Sequence, residues 1–552
     1  MKKLFTLLVS SLVSLASMAQ TTDYKCALAV LVNGAPADPQ DMVVTTTKAD
    51  NGTYTLQLKN FILYTQGQAM PVGTITVPNI QATKEEGDIV LKSEQNITIA
   101  EGDMPGVEGW MGPLLKEVPI SLEGGISGDV LGAVLDIPFN TMNICVYVSS
   151  ARTQLPNSNF EGWHEISFKD YYGTTTTSDE PNSWHSFMSC TGSLAGIVSG
   201  APHTWKSNDV RPNSSSKTSV LVKSASLFGS ISANGTITTG RLMAGDMTPS
   251  NPKNNSFLDL SNSDKDANGD PFYTKLDSYP DSIAMWVKFH PGKDNKNPTA
   301  LVSAVLTDST YYQDPEDKEY ANVVAKAQYS SIESNGEVWQ RIVVPFDYES
   351  YYTNDAEARA LLVTISTCSV PGGGSASADD PDAINVDDVN LIYNAKLNSI
   401  SIKGAKLVDF DKNKFDYNVE VEALPEPKDI DFEEDAENSM VSVSLNGSIA
   451  TLTVISDDLK TINTYKLNFK EKGANAISNV NNGAKAAVAT YNLNGQQVSA
   501  SAKGNVVIKK YADGTIIDNV IVRGKIKAVA AKDNITVQLA NILIKCLSIG
   551  KL

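Results

Sequence analysis

The chain has 552 residues, 63 acidic against 45 basic, and a formal net charge of -18 at pH 7. That balance repels nucleic-acid phosphates and anionic lipid surfaces, so neither is an expected partner. The length exceeds what one hydrophobic core sustains, which predicts several domains, and five cysteines are too few for a disulfide scaffold.

At the start, Lys2 and Lys3 precede an apolar stretch from Leu4 to Leu15, and Ser17-Met18-Ala19 supplies small residues for cleavage. This pattern predicts a secretory signal peptide over residues 1–19. Its apolar core is too short to span a bilayer, and no later segment has the apolar run of a transmembrane helix. Cys26 has no lipobox before it. The expected product is exported and soluble, extracellular or at the cell surface, with the periplasm as the other location.

Residues 24–150 read as short alternating strands with turn chemistry between them. Asp41 to Thr47 and Thr53 to Leu58 flank Ala49-Asp50-Asn51-Gly52, a hairpin signal in which Asn-Gly would supply the positive φ angles of a type I′ turn. Strands follow at Thr74–Val77, Ile89–Leu91, Asn96–Ile99, Val118–Leu122 and Asn143–Val148, so a small barrel or sandwich is the natural closure. Cys26 and Cys145 lie on the first and last of these strands. They read equally as a disulfide or as two buried thiols. The strings Gly52-Thr53-Tyr54-Thr55-Leu56-Gln57-Leu58, Met70-Pro71-Val72-Gly73, Trp110-Met111-Gly112-Pro113 and Leu131 to Ile137 resemble the calycin-like β-barrel domain of secreted Bacteroidetes proteins. The resemblance implies a lipocalin-like fold. Its interior could hold a small apolar ligand or be filled by side chains.

Residues 152–394 read as a larger β-sandwich. Asn157 to Trp163 and Ile384 to Tyr393 are expected to be its first and last strands, side by side as in a jelly roll. Glu161 and Asp387 or Asp388 would then meet at a sheet edge and could hold a cation. Five of the six tryptophans fall here. Trp286 and Trp339 alternate with apolar residues and read as core. Trp184 and Trp205 sit in Ser/Asn/Pro-rich stretches and are expected to be exposed; with Trp163 they are the candidate ligand-binding residues, because an exposed indole face stacks on pyranose C–H groups. The strings Asn159-Phe160-Glu161-Gly162-Trp163, Ser183-Trp184, Asp270-Pro271-Phe272, Pro280 to Phe289 and Val386-Asp387-Asp388-Val389 resemble a carbohydrate-metabolism domain of Bacteroidetes, which is similar to jelly-roll carbohydrate-binding modules. The resemblance implies a glycan-directed function, with Glu161 and Asp387 or Asp388 at a structural cation position.

A second cation candidate is Asp264, Asp266, Asn268 and Asp270, spaced D-x-D-x-N-G-D as in Ca²⁺ loops. Lys275 stands where such a loop needs Glu, and a hydrated Asp/Asn turn is the competing account. The four histidines, His164, His185, His203 and His290, show no local ligand spacing, so zinc is not indicated. There is no G-x-S-x-G elbow. Acidic stretches such as Asp379-Asp380-Pro381-Asp382 leave a glycosidase pair open but do not argue for one.

Residues 396–472 alternate well, through Lys396–Gly404, Phe415–Val421 and Thr464–Phe469. They resemble a cadherin-like, immunoglobulin-like module, which implies a spacer. After Lys472 the composition turns to Ala, Asn, Gly and Ser, as in a linker. Tyr491 to Val498 and Lys503 to Ile508 resemble a C-terminal sorting domain, although the chain continues to Leu552 where that family stops.

The sequence thus predicts an all-β, multidomain protein: barrel, jelly roll and immunoglobulin-like sandwich. The expected function is non-catalytic glycan or polysaccharide binding, with Ca²⁺ as a structural ion. The alternatives are a glycan-active enzyme such as a glycoside hydrolase, and a surface adhesin or scaffold that binds other cell-surface proteins.

Overall fold

The structure is a computed structural model that describes residues 20–472, apart from 86, 140–141, 170–172, 228–230, 376 and 437, and three short tail strands, Ala489–Tyr491, Val506–Lys510 and Ile516–Val520. The signal-peptide reading and most of the sorting-tail reading lie outside the described residues.

The first domain is a closed eight-strand antiparallel barrel. Its strands are Gln20–Val32, Gln40–Lys48, Tyr54–Thr65, Gln68–Glu85, Asp88–Thr98, Glu117–Ser127, Val130–Phe139 and Met142–Ser149. They pair in chain order, and the first closes on the last from Ala27↔Ser149 to Val32↔Ile144. Strict alternation explains the closure. Every second residue, such as Leu28, Val44, Leu56, Leu58, Val77, Leu122 and Val146, points inward into one apolar cluster. Side chains therefore pack the interior. The turn after Lys48 uses a positive φ only at Gly52 (84°), not at Asn51. It is therefore not type I′ but fits a turn ending in a single left-handed glycine. Cys26 points into the barrel, whereas Cys145 packs outside it beside Leu31 and Tyr147. Opposite faces keep both thiols free.

The central sandwich has two main sheets. One orders Thr204–Ser207, Ser219–Lys223, Ala383–Ile392, Ser282–His290 and Gln340–Pro345; the other orders Thr236–Thr238, Ala360–Ser366, Ala300–Thr307 and Val323–Ile332. Val222, Ile283, Met285, Val287, Val302, Val363, Ile365 and Val386 fill the space between them. The expected closing pair is corrected. Ala383–Ile392 is central, and residues 157–162 form a loop because Asn157 and Phe160 take left-handed conformations (φ 46° and 51°). That loop still docks on the last strand through the Val389 amide, which donates to Ser158 O (2.9 Å).

The third domain packs Leu397–Ile402, Ala405–Lys406 and Ile430–Glu434 against Asp416–Val421, Ile462–Glu471, Ile449–Ile455 and Met440–Asn446. Tyr417 and Tyr465 are buried at its centre, each donating its hydroxyl to a loop carbonyl, Asp411 O (2.7 Å) and Lys412 O (2.8 Å). The domains hold one another. Ala29, Leu31 and Tyr147 on the barrel's outside pack on Met440, Ile455 and Leu459 of the third domain. Arg152 pairs with Asp129 of the barrel and with Asp277 of the sandwich (2.7 Å). The molecule is nearly all β, with a closed barrel, a two-sheet sandwich and a smaller two-sheet domain in that order.

Candidate functional site

The two outward faces of the central sandwich differ. On the four-stranded sheet, alternation sends Val302, Ala304, Ala327, Val363 and Ile365 to the core and leaves the neighbouring positions facing out. At one end a second layer covers that face: Leu258 and Tyr312 pack on Val305, Ala360 and Leu362. At the other end the layer stands away and leaves a cleft of about 510 Å³. Its floor is Leu301, Ser303, Gln328, Thr364 and Ser366, and its walls include Ile197, Met243, Met247 and Pro371. Gln328 Nε2 donates to Ser303 Oγ (2.9 Å), which fixes both groups on the floor. Tyr329, 42% exposed, stands at the edge. The volume is that of an ordinary small-ligand site, apolar with a few convergent polar groups.

Asp314 also lines the cleft. Burial pushes its carboxyl above the usual range, while Ser303 and Lys326 pull it down. The site therefore offers neutral hydrogen-bonding groups and one carboxyl disposed to keep its proton.

The five-stranded sheet presents Trp205 and Trp286, both half-buried, on its outer face. Lys223 Nζ lies 5.0 Å from the Trp205 ring centre, and the Arg211 guanidinium lies 5.7 Å from that of Trp286. Trp339 donates Nε1–H to Asp209 (2.9 Å), which also pairs with Lys288. The protein's own cations thus cap two of these rings.

None of the tryptophans singled out from the sequence lines the cleft. Trp184, expected to be exposed, is fully buried: Ser183 at φ 64° turns the chain so that the ring packs on Phe160 and Nε1 donates to Pro156 O (3.1 Å). Trp163 is half-buried against the core, donating to Phe160 O (2.6 Å). Trp286 and Trp339 are not core residues. They belong to outward positions: Ile283, Met285, Val287 and Phe289 take the core side of their strand, so Trp286 between them faces out, and Trp339 stands just before the edge strand Gln340–Pro345.

Glu161 does not meet Asp387 or Asp388. Its Oε1 accepts from the Lys217 and Thr218 amides (2.6 and 2.8 Å). Asp388 takes Arg211 and Ser216, and Asp387 Oδ2 takes the Arg211 amide (3.1 Å). The carboxylates bind successive parts of the 211–218 loop, and Arg211 supplies the positive charge the sequence reading gave to a cation. Asp387 Oδ1 is buried without a partner, and burial raises its carboxyl's pKa.

In the Asp264–Asp270 loop the oxygens likewise turn to protein donors. Asp264 pairs with Arg241 (2.9 Å), Asp266 Oδ1 accepts from the Asn268 and Asp270 amides (2.9 and 2.7 Å), and Asp270 accepts from Asn268 Nδ2 (3.0 Å) and the Ser183 amide (2.8 Å). The loop is an Asx-type turn tied to Ser183. Among the described residues, no group of three or more His, Cys, Asp or Glu is placed so that it could hold a metal ion.

Residues 21–149 match the profile of the calycin-like beta-barrel domain family. No curated protein matches the chain. Among solved structures, the chain is similar to one described as the basis for the promiscuous specificity of carbohydrate-binding modules from the beta-sandwich superfamily. Identity is 8% and the TM-score 0.20, over 57% of this chain and 97% of that one. It is also similar to the infectious bursal disease virus VP2 subviral particle, at 10% identity and TM-score 0.16, over 67% of this chain and 71% of that one. At TM-scores this low neither likeness bears on the ligand.

Proposed function

We propose that this is an exported, non-catalytic carbohydrate-binding protein whose ligand lies in the cleft on the outer face of the four-stranded sheet. The observation that carries the reading is the cleft floor. Ser303, Gln328, Thr364 and Ser366 offer neutral groups that both donate and accept, as sugar hydroxyls require. The apolar walls suit pyranose C–H faces, and Tyr329 adds an aromatic edge. The barrel's packed interior leaves it the role of a support.

The test is a glycan array probed with the chain after export processing, run with Ca²⁺ and with chelator. Specific binding that falls at least tenfold in Tyr329→Ala and Gln328→Ala, with an unchanged melting temperature, supports the reading. A silent array from a folded protein contradicts it and moves the weight to cell-surface protein partners.

One observation favours a second reading, a glycan-active enzyme. The Asp314 carboxyl, whose pKa burial raises, borders the same cleft as Asp246. Two carboxyls in one cleft are what a glycosidase uses as its acid and its base or nucleophile, the acid having a raised pKa. Release of reducing ends from an array-positive glycan, abolished in Asp314→Asn, would favour this reading over simple binding.

A further inference from the structure

Granted the carbohydrate reading, on which this inference rests, the lining of the cleft restricts which sugar it takes. Charge is the first restriction. Among the described residues no Lys, Arg or His lines the cleft, whereas Asp246 and Asp314 both do. Lys326, the cation that acts on Asp314, is already spent: its Nζ pairs with Glu316 (2.7 Å) and lies 5.0 Å from the Tyr351 ring centre. A uronate, sulfate or phosphate entering here would give up water, find no counter-charge and meet carboxyl groups. An ammonium fares little better. Burial raises the Asp314 pKa, so this carboxyl is disposed to be neutral rather than to hold a cation.

Polarity of the walls is the second restriction. Leu194, Ile197, Met243, Met247, Pro249 and Pro371 make them aliphatic. The lining has no tryptophan. Its two aromatic residues are Tyr329 at the edge and Phe187, whose ring packs on His203 (5.2 Å between ring centres). An unsubstituted pyranose carries a hydroxyl on most ring carbons, and each one turned to an aliphatic wall would lose its water without gaining a partner. A methyl-bearing substituent has no such cost.

The walls are also held in place. The Leu194 amide donates to Ala244 O (2.9 Å) and the Ala244 amide to Thr191 O (2.8 Å), which ties the Leu194 wall to the Met243 strand. Asn254 Oδ1 accepts from the Gly245 and Asp246 amides (2.9 and 3.0 Å). Its Nδ2 donates to Asp246 O and Thr248 O (both 2.9 Å), so the loop that presents Met247 is fixed. An aliphatic surface fixed before the ligand arrives is preorganised for one shape.

We propose that the cleft selects uncharged sugars that carry an acetyl group, with the methyl against Ile197, Met243 and Met247 and the ring hydroxyls toward Ser303, Gln328 and Thr364 on the floor. N-acetyl and O-acetyl sugars share this chemistry: a small methyl, a carbonyl that accepts, and no charge. The acetamido form adds an N–H donor, for which Asp246 and Asp314 supply acceptors in the same cleft.

The test is a glycan array grouped by substituent and read with the whole exported chain. The strongest hit is then titrated with and without its acetyl groups, beside matched probes. Tri-N-acetylchitotriose, its de-acetylated trimer and cellotriose share one linkage and differ at one ring position. Acetylated xylotriose against its saponified form is the O-acetyl arm, and a hyaluronan tetrasaccharide carries acetyl and acid together. The expected hits are acetylated and uncharged, and affinity should fall at least tenfold when the acetyl is removed or a uronate is present. The arm that shows the drop identifies the N- or O-acetyl source. The double variant Met243→Ser, Met247→Ser should cut the acetyl preference to under threefold at an unchanged melting temperature, since Met247 is already 46% exposed. Hits that are mainly unacetylated or acidic overturn this proposal and leave the carbohydrate reading standing, as does an acetyl preference that the double variant leaves intact. A silent array from folded protein removes both.

Discussion

The barrel and the central sandwich are both built from short alternating strands punctuated by Asn and Gly, yet they bury different things. Inside the barrel, inward positions are apolar almost throughout, from Leu28 to Val148, and the strands pair in chain order. In the sandwich, Glu180, His185, His203, Asp382 and Asp387 are all buried. Some are fully satisfied. Asp382 accepts from the Gly292 and Ser375 amides (2.6 and 2.8 Å) and from Asn295 (2.7 Å), so it staples three segments together. Others, at Glu180 Oε2 and Asp387 Oδ1, are not. Buried polar atoms without partners are costly, so a domain that keeps several is where a ligand is to be sought.

The largest effects should separate scaffold from site. Trp184→Ala is expected to lose about 3–5 kcal/mol of stability, because it empties a fully buried site next to Phe160. Denaturant unfolding measures this; a variant as stable as wild type would return Trp184 to the candidate sugar platforms. Leu58→Ala in the barrel is expected to cost roughly 2–5 kcal/mol by the same method and to leave glycan affinity of the folded fraction unchanged. Lost affinity at full folding would show that the barrel takes part in binding.

Cleft variants should do the reverse. Tyr329→Ala is expected to change stability by less than about 0.5 kcal/mol and to weaken glycan binding at least tenfold. Trp205→Ala, on the opposite sheet face, should leave titrated affinity within twofold. If Trp205 matters and Tyr329 does not, the binding face is the five-stranded sheet.

A smaller effect comes from Asp314. Its folded pKa is raised by burial, so the folded chain holds the proton more tightly than the unfolded one. The stabilisation is full below the unfolded value of about 3.9 and is lost as pH rises through the folded value. Asp314→Asn should therefore flatten the fall in melting temperature above about pH 4. The smallest effect belongs to His290, held between Asp380 and Glu337 at 2.8 and 3.0 Å on the surface. The Asp380 hydrogen bond raises its pKa, so its contribution is present at low pH and fades as pH rises through the raised value. His290→Gln should cost under about 1 kcal/mol at pH 5 and less at pH 8.

The strands were legible because alternation is local: Thr53 to Leu58 and Ser282 to Phe289 carry their own period. Sheet position was not. Nothing in Ala383–Ile392 shows that it lies in mid-sheet, and only backbone angles at Asn157 and Phe160 keep the expected first strand from forming. The cleft floor follows from which side of the sheet Ser303 and Thr364 face, a consequence of pairing that the sequence does not state. Local context also misled. Polar neighbours suggested exposure for Trp184, whereas one left-handed residue, Ser183, turns it inward. The D-x-D-x-N-G spacing did mark a constrained loop, but its carboxylates serve Ser183, Arg241 and, from Asp266, two distant histidines, His185 at 3.4 Å and His164 at 3.7 Å. His164 and His185 carry no sequence signal at all, since only the hairpin and the Thr238 bridge bring them together.

The most direct test is a crystal structure of the chain soaked with an array-positive glycan. The account predicts sugar density over Ser303, Gln328, Thr364 and Tyr329. Density inside the barrel, or stacked on Trp205 and Trp286, would contradict it.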